Sequence, residues 1–272
     1  MKAIAIIGAG WLGKPLAQYL DSIGHKVWVT STTKKGADTL AQRGFNAFVC
    51  DLNDAKELDT QLKQLNIEII IGCFPPGFRK GYGKQYATQW QTLSQAAQKA
   101  KVNKLVMVSS TTVYPSSPTD MVEPCASLET ARHNSQFSEN AVTMLEAEAS
   151  VIQSDVEYAI VRCSGLVGPN RHPSNFVSKL KQVSDVAPAN MLHLTDAIGA
   201  VSFAALQIKN EIVNATTPNT VNKAEFYQAA LASVDSTEPL PSIVSKPDKR
   251  IIADKLIGLG YRFHFQHVLE II

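Results

Sequence analysis

Long apolar runs are missing from this chain, and nothing in its 272 residues approaches the roughly 18 to 20 consecutive apolar residues a membrane span needs. One-sided charge is missing too: 26 Lys and Arg stand against 24 Asp and Glu, a net charge of +2. The lysines are scattered and aromatics do not interleave with them, so nothing indicates nucleic acid or an anionic membrane as a partner. Cysteines are few. Cys50, Cys73, Cys125 and Cys163 lie far apart with no CxxC pair, and three of them end or follow apolar strand-like runs. They read as small buried residues of a reducing cytosol, so the expected location is cytoplasmic. No Ser-His-Asp order, no GxxxxGK phosphate loop, no internal repeat and no low-complexity tract occurs. His264-x-x-His267 lacks the third and fourth ligands that zinc requires, and Phe263 and Phe265 flank His264, which predicts a terminal strand with an exposed histidine.

What is present begins at once. Ile4-Ala-Ile-Ile feeds into Gly8-Ala-Gly10-Trp11-Leu12-Gly13, and Leu12, Leu16 and Leu20 then repeat every four residues on one helix face. Pro15 sits in the first turn, where its missing N–H costs nothing. This strand–glycine–helix order is the context of a dinucleotide fingerprint. Gly8 serves the tight turn, Gly10 the approach of backbone to a pyrophosphate, and Gly13 the close packing of helix on strand. The helix start offers free N–H groups and a positive dipole end to phosphates. Lys2 before an apolar stretch resembles a secretory signal, but three glycines, Pro15 and Lys14 interrupt it and no small-residue cleavage site follows.

Strands are expected at 2–7, 26–30, 45–50, 67–73, 103–108 and 156–162. Helices are expected at 11–23, 35–43, 54–65, 84–100 and 137–153. The alternation predicts an α/β fold, a Rossmann-type doubly wound parallel sheet, because parallel neighbours need crossover helices. After residue 165, prolines at 169, 173, 188, 218, 239, 241 and 247 punctuate shorter elements. The expected organisation is a dinucleotide-binding domain over 1–165, a smaller interwoven substrate-side lobe over 166–272, and a return to the first domain at 190–217.

Ligands of such sheets lie beyond the strands' carboxyl ends. The second strand continues into Ser31-Thr32-Thr33-Lys34-Lys35 with no acid before Asp38. A carboxylate there would accept from the ribose 2′-OH of NAD; hydroxyls and lysines suit the 2′-phosphate of NADP, although Ser and Thr also cap helices. NADP(H) is therefore the expected cofactor, ahead of NAD. Asp51 and Leu52 follow the third strand, where they border an adenine or Asp51 caps the next helix. Phe74, Pro75 and Pro76 form a stiff loop beside a ribose or nicotinamide. Phe78 to Tyr86 is a Gly- and Lys-rich flap or a plain surface loop.

Val108-Ser109-Ser110-Thr-Thr-Val-Tyr114-Pro resembles the SSxxVYG stretch of the extended short-chain dehydrogenase/reductase family of epimerases and dehydratases. Val161-Arg162-Cys163-Ser-Gly165-Leu-Val-Gly168-Pro169 resembles its RPxxVYGP segment, and His193-Leu-Thr-Asp196-Ala resembles its HVDDVA segment. With the N-terminal glycines, these run in the family's order over about the whole chain. The resemblance implies the fold, a nicotinamide cofactor contacted by Ser109 and Cys163, and Ser110 in the place of the serine that holds the reacting oxygen. The family's Tyr-x-x-x-Lys pair is absent: residues 137–153 carry Asn140 and Met144, or Ser138 and Val142, in those places. The first glycine of the family's motif falls on Ile7. This pattern resembles the atypical branch that lacks the dyad.

The expected activity is that of an oxidoreductase or epimerase-like enzyme on a small polar or sugar-derived substrate. Its proton donor is unplaced among Tyr114, Tyr82, Tyr86 and Glu123. For Tyr114 the competing role is packing or cofactor contact, and Glu123 is either a substrate contact or solvated surface. The second reading is a dinucleotide-binding sensor or scaffold without turnover; a third is a GxGxxG dehydrogenase of another family, or a flavin or methyl-donor binder. Arg171 and His172, just after Gly168-Pro169-Asn170, are candidates for lining the substrate cleft. A monomer or a homodimer through helices 84–100 and 137–153 is expected.

Overall fold

The computed structural model describes residues 1–78, 81 and 83–272. A seven-stranded sheet is built from β1 (Ala3–Ile7), β2 (Lys26–Ser31), β3 (Asn46–Val49), β4 (Ile69–Gly72), β5 (Lys104–Ser110), β6 (Glu157–Cys163) and β7 (Glu211–Ala215). Its order is β7-β6-β5-β4-β1-β2-β3. β1 runs parallel to both β2 and β4, β2 to β3, and β4 to β5. The strand order reverses between β1 and β4, the switch point at which such sheets bind ligands.

The crossovers are α1 (Gly13–Ser22), α2 (Lys34–Gln42), α3 (Leu58–Gln64), α4 (Gly83–Ala100) and α5 (Glu139–Ile152); α6 (Leu194–Gln207) precedes β7. Strands β1 and β4 are apolar nearly throughout because helices cover both faces of the sheet. The four-residue repeat of α1 is its buried face, Leu16, Ala17 and Leu20. The last strand, β7, lies outside the expected set. Helix α3 is shorter than the 54–65 expected, because residues 51–58 are spent on turns closed by Asp51 O to Asp54 N and Ala55 O to Leu58 N.

Two compact units divide the chain. The first comprises Met1–Ser109, Glu139–Val161 and Val201–Ile212. The second comprises Ser110–Ser138, Arg162–Ala200 and Val213–Ile272. Within the second, short parallel pairs replace a large sheet: Gly165–Val167 with Met191–His193, Gln182–Ser184 with Ser242–Val244, and Asp120–Met121 with Arg250–Ile251. One of its apolar clusters joins Val167, Ala189, Phe226, Val268 and Ile271. The expected terminal strand around His264 is not formed; a 3-10 turn over Val268–Ile271 stands there instead, and His267 makes only an isolated bridge to Asn219. Among the described residues no helix is long and apolar enough to cross a membrane.

Candidate dinucleotide site and the buried polar groups

At the end of β1 the backbone enters the left-handed region at Gly8, with φ of 103°. Its N–H donates to Thr30 Oγ1 at 3.0 Å, and Ala9 N donates to Thr30 O at 3.3 Å, which pins the turn onto the end of β2. A Cβ on Gly13 would stand 2.1 Å from the Gly8 carbonyl oxygen, so only glycine lets α1 start this close to the strand. A Cβ on Gly10 would meet nothing within 4 Å. The face of Gly10 is thus open, as a backbone cradle for a pyrophosphate requires, and the residues present fit that group. Trp11 is half-buried beside it, and Leu12 is buried as the first core contact of the helix.

A cleft of about 450 Å³ lies beyond β2. Its lining carries three cations, Lys14, Lys35 and Arg43, with the hydroxyls of Ser31 and Thr33, and no carboxylate. Thr33 Oγ1 caps α2 by accepting Gly36 N–H at 3.1 Å. A Cβ on Gly36 would fall 2.0 Å from Ser31 Oγ, so the glycine is what lets that hydroxyl sit over the helix start. Lys34 is turned elsewhere: it pairs with Asp38 at 2.8 Å on an exposed surface. Thr32 is exposed and is not in the lining. Of the lining cations, Lys35 belongs to the Ser31–Lys35 run read from the sequence, while Lys14 and Arg43 were not picked out there, although Lys35 and Arg43 stand eight residues apart, about two helical turns and so on one face.

A second, acidic cleft of about 360 Å³ follows β3 and is lined by Cys50, Asp51, Asp54 and Glu57 among others. Asp51 Oδ1 accepts from Asn53 N at 3.0 Å rather than capping a helix, since α3 starts only at Leu58. Leu52 is buried, and burial with the neighbouring Asp51 pushes the Cys50 thiol up to about 12. After β4, Phe74 stacks on Trp90 with ring centroids 4.8 Å apart and meets Tyr86 edge-on at 5.7 Å. Pro75 is exposed and Pro76 half-buried. Tyr86 is buried under this loop. Burial first, then the nearby Glu148 carboxylate and Cys73 thiol, hold its hydroxyl in the protonated form. Tyr82 lies outside the described residues.

At the end of β5 the two serines diverge, as successive strand residues must. Ser109 Oγ donates to Glu148 Oε1 at 2.6 Å, with both groups buried. Ser110 Oγ accepts Thr112 N–H at 3.1 Å and caps the 3-10 turn Thr111–Val113. Glu148 belongs to none of the candidate sites read from the sequence. Its place on the buried face of α5, with Ala141, Met144, Leu145 and Val151, is the signal that a carboxylate is held inside. That helix carries neither Tyr nor Lys.

The remaining proton-donor candidates are occupied within the second unit. Tyr114 Oη donates to Asn214 Oδ1 at 2.6 Å and accepts from Arg162 Nη1 at 3.1 Å. Arg162 is fully buried and also donates to the carbonyls of Glu123 at 2.9 Å and Ala126 at 3.0 Å. Glu123 is 6% exposed, and its Oε1 accepts Asn214 N–H at 2.7 Å. Burial pushes the Tyr114 hydroxyl up to about 12 against the pull of Arg162. These four side chains are a satisfied buried network, which is an architectural role. Cys163 is buried with its thiol raised to about 12. Arg171 is exposed on a tight turn closed by its own N–H to Gly168 O at 2.8 Å, and His172 Nδ1 lies 2.8 Å from Ser174 Oγ. Among the described residues no group of three His, Cys, Asp or Glu stands close enough to hold a metal.

Comparison with known proteins agrees with this geometry. The model of the NAD dependent epimerase/dehydratase family matches residues 4–193. Protein YeeZ of Escherichia coli (strain K12) is 27% identical over 275 residues, covering 97% of each chain. Among solved structures, the Bordetella bronchiseptica enzyme WbmH in complex with NAD+ superposes with a TM-score of 0.76 at 17% identity, covering 100% of this chain and 96% of that one. MoeE5 in complex with UDP-glucose and NAD does so at 0.73 and 20% identity, covering 99% and 96%. At such identities these two likenesses speak for the fold.

Proposed function

The chain belongs to the NAD-dependent epimerase/dehydratase family, and from that premise we propose that it is an NADP(H)-dependent oxidoreductase or epimerase-like enzyme acting on a small polar, sugar-derived substrate. The observation that carries the cofactor choice is the cleft beyond β2, with Lys14, Lys35, Arg43, Ser31 and Thr33 in its lining and no carboxylate. A ribose 2′-phosphate needs cations and hydroxyl donors; a carboxylate in the same place would repel it and favour the 2′-OH. Gly10 leaves room for the pyrophosphate, and the start of α1 presents N–H groups to it. A nicotinamide held there would supply or remove a hydride.

What the chain's own residues do follows from their contacts. Ser110, at the end of β5 and matching the family's serine, holds a substrate oxygen through the hydroxyl that otherwise caps Thr111–Val113. The Ser109–Glu148 pair fixes the strand end from below. The Tyr114 hydroxyl is bonded to Asn214 and Arg162 and the Glu123 carboxylate to Asn214 N, which supports a structural role for both rather than proton transfer. MoeE5 was solved with UDP-glucose, which supports a nucleotide-sugar or similar polyhydroxy substrate here. Screening NADPH consumption with carbonyl and nucleotide-sugar substrates, with Ser110→Ala as the control, tests the proposal. Turnover abolished by that substitution supports it. Tight NADPH binding without turnover on any substrate favours the second reading, a dinucleotide sensor, which rests on the absence of Tyr and Lys from α5.

A further inference from the structure

Five of the six histidines, His133, His172, His193, His264 and His267, fall in the second unit. Three of them use Nδ1 as an acceptor for a backbone N–H at the start of a helical segment. Thr195 N donates to His193 at 3.2 Å, Leu269 N to His267 at 3.2 Å, and Ser174 N to His172 at 3.4 Å. An imidazole nitrogen accepts only while it is unprotonated. Protonation turns the acceptor into a donor and sets a positive charge against the positive end of a helix.

Two of these rings grip the same piece of chain. His193 meets Phe265 edge-on at 4.8 Å, and a Cβ on Gly168 would lie 3.2 Å from its Nε2, so the turn Gly168–Arg171 also packs against the ring. Asp196, almost fully buried, accepts from His264 N at 2.6 Å, Phe265 N at 3.1 Å and Tyr261 Oη at 3.1 Å. His267 caps the 3-10 turn whose Val268 and Ile271 enter the cluster with Val167, Ala189 and Phe226. Residues 261–272 thus form a strap, held at one end through His193, Phe265 and Asp196 and at the other through His267.

We propose that this strap is a proton-operated latch: neutral His193 and His267 hold it closed, and protonating them releases it together with the Gly168–Arg171 turn. The charged groups around the rings act in both directions. Asp196 draws a proton to His193, while His264 and, above all, burial oppose it, so His193 titrates below its ordinary value. On the strap, the Glu270 carboxylate accepts His267 N at 3.1 Å and Gln266 N at 2.8 Å. The helix Lys223–Ala232 packed on the 3-10 turn carries Lys223, paired with Asp248 at 2.9 Å, and Glu225; the turn beside His193 carries Arg171. Because the His193 pKa is lower folded than unfolded, its contribution is complete above about pH 6.5 and is lost as pH falls from there through the folded value.

Amide hydrogen exchange of the full chain at pH 7.5 and 5.5, corrected for the intrinsic pH dependence of exchange, tests the latch. Protection of Phe265, Val268, Leu269 and Ile271 should fall at pH 5.5, by up to about tenfold, the ceiling set by one imidazole with an unfolded value near 6.5. In a His193→Asn, His267→Asn variant, whose amide oxygens cap at any pH, that acid loss should vanish. Equal protection at both pH values in the unmodified chain overturns the proposal, as does an undiminished acid loss in the variant. Imidazole ¹⁵N spectra of the unmodified chain decide independently of whether the variant folds: His193 and His267 should carry the proton on Nε2 at pH 7.5. A proton on Nδ1 contradicts the latch.

Discussion

Replacing Tyr114 by phenylalanine separates an architectural hydroxyl from a catalytic one. The ring stays, and with it the contact with the Arg162 guanidinium 5.1 Å from its centroid, so the change removes one oxygen. Asn214 Oδ1 loses the O–H donor at 2.6 Å, and Arg162 Nη1 loses an acceptor at 3.1 Å while keeping the Glu123 carbonyl at 2.9 Å. A buried polar group left unpaired costs about 1–3 kcal/mol. The Asn214 oxygen should sit high in that range and the still-bonded Arg162 low, which gives about 3 kcal/mol together. For a chain of this length that is a fall of about 5 °C in Tm. Thermal unfolding by circular dichroism, paired with NADPH titration at 20 °C, reads both terms: stability falls and cofactor affinity stays. A stability loss below about 1 kcal/mol would refute the account of the network, and a drop in turnover at unchanged stability would return Tyr114 to the proton-transfer candidates.

The glycine turn makes two opposite predictions. Gly10→Ala should leave Tm within about 1 °C yet weaken dinucleotide binding by at least about tenfold, because its Cβ fills the pyrophosphate cradle and touches no protein atom. Gly13→Ala should destabilise or prevent folding even without cofactor, since its Cβ meets the Gly8 carbonyl at 2.1 Å; melting curves of the two variants side by side distinguish them. Lys35→Ala and Arg43→Ala should each raise the NADPH Kd about fivefold, the effect of about 1 kcal/mol for an exposed cation, and leave the NADH Kd within about twofold. Lys34→Ala should change neither, because that lysine is paired with Asp38.

The parts of this molecule that are legible in the sequence are those written in local period. The runs at 2–7, 67–73 and 103–108 contain β1, β4 and most of β5, because strands buried on both faces must be apolar along their whole length. β7 escapes that logic: Glu211-Ile-Val-Asn-Ala is short and carries two polar residues, and Asn214 is held in its buried place by partners far along the chain, Tyr114, Met121, Glu123 and Ile252. The Tyr114–Arg162–Asn214 network joins residues 48 and 100 apart, so no spacing announces it. Glu148 was more accessible, a charged residue in the apolar face of α5. The terminal segment failed for the reverse reason. Alternating Phe263-His264-Phe265 has a strand's period, but Asp196 takes the backbone N–H groups of His264 and Phe265 for itself. A single buried carboxylate overrides the pattern.

The cleft beyond β2 is proposed to hold a 2′-phosphate. Calorimetric titration of the unliganded chain with NADPH, NADP+, NADH and NAD+ at one ionic strength tests it most directly. All four should bind, with the phosphorylated pair tighter by at least about tenfold, as three cations without a carboxylate should give. Equal affinities, or a preference for NADH and NAD+, would contradict it.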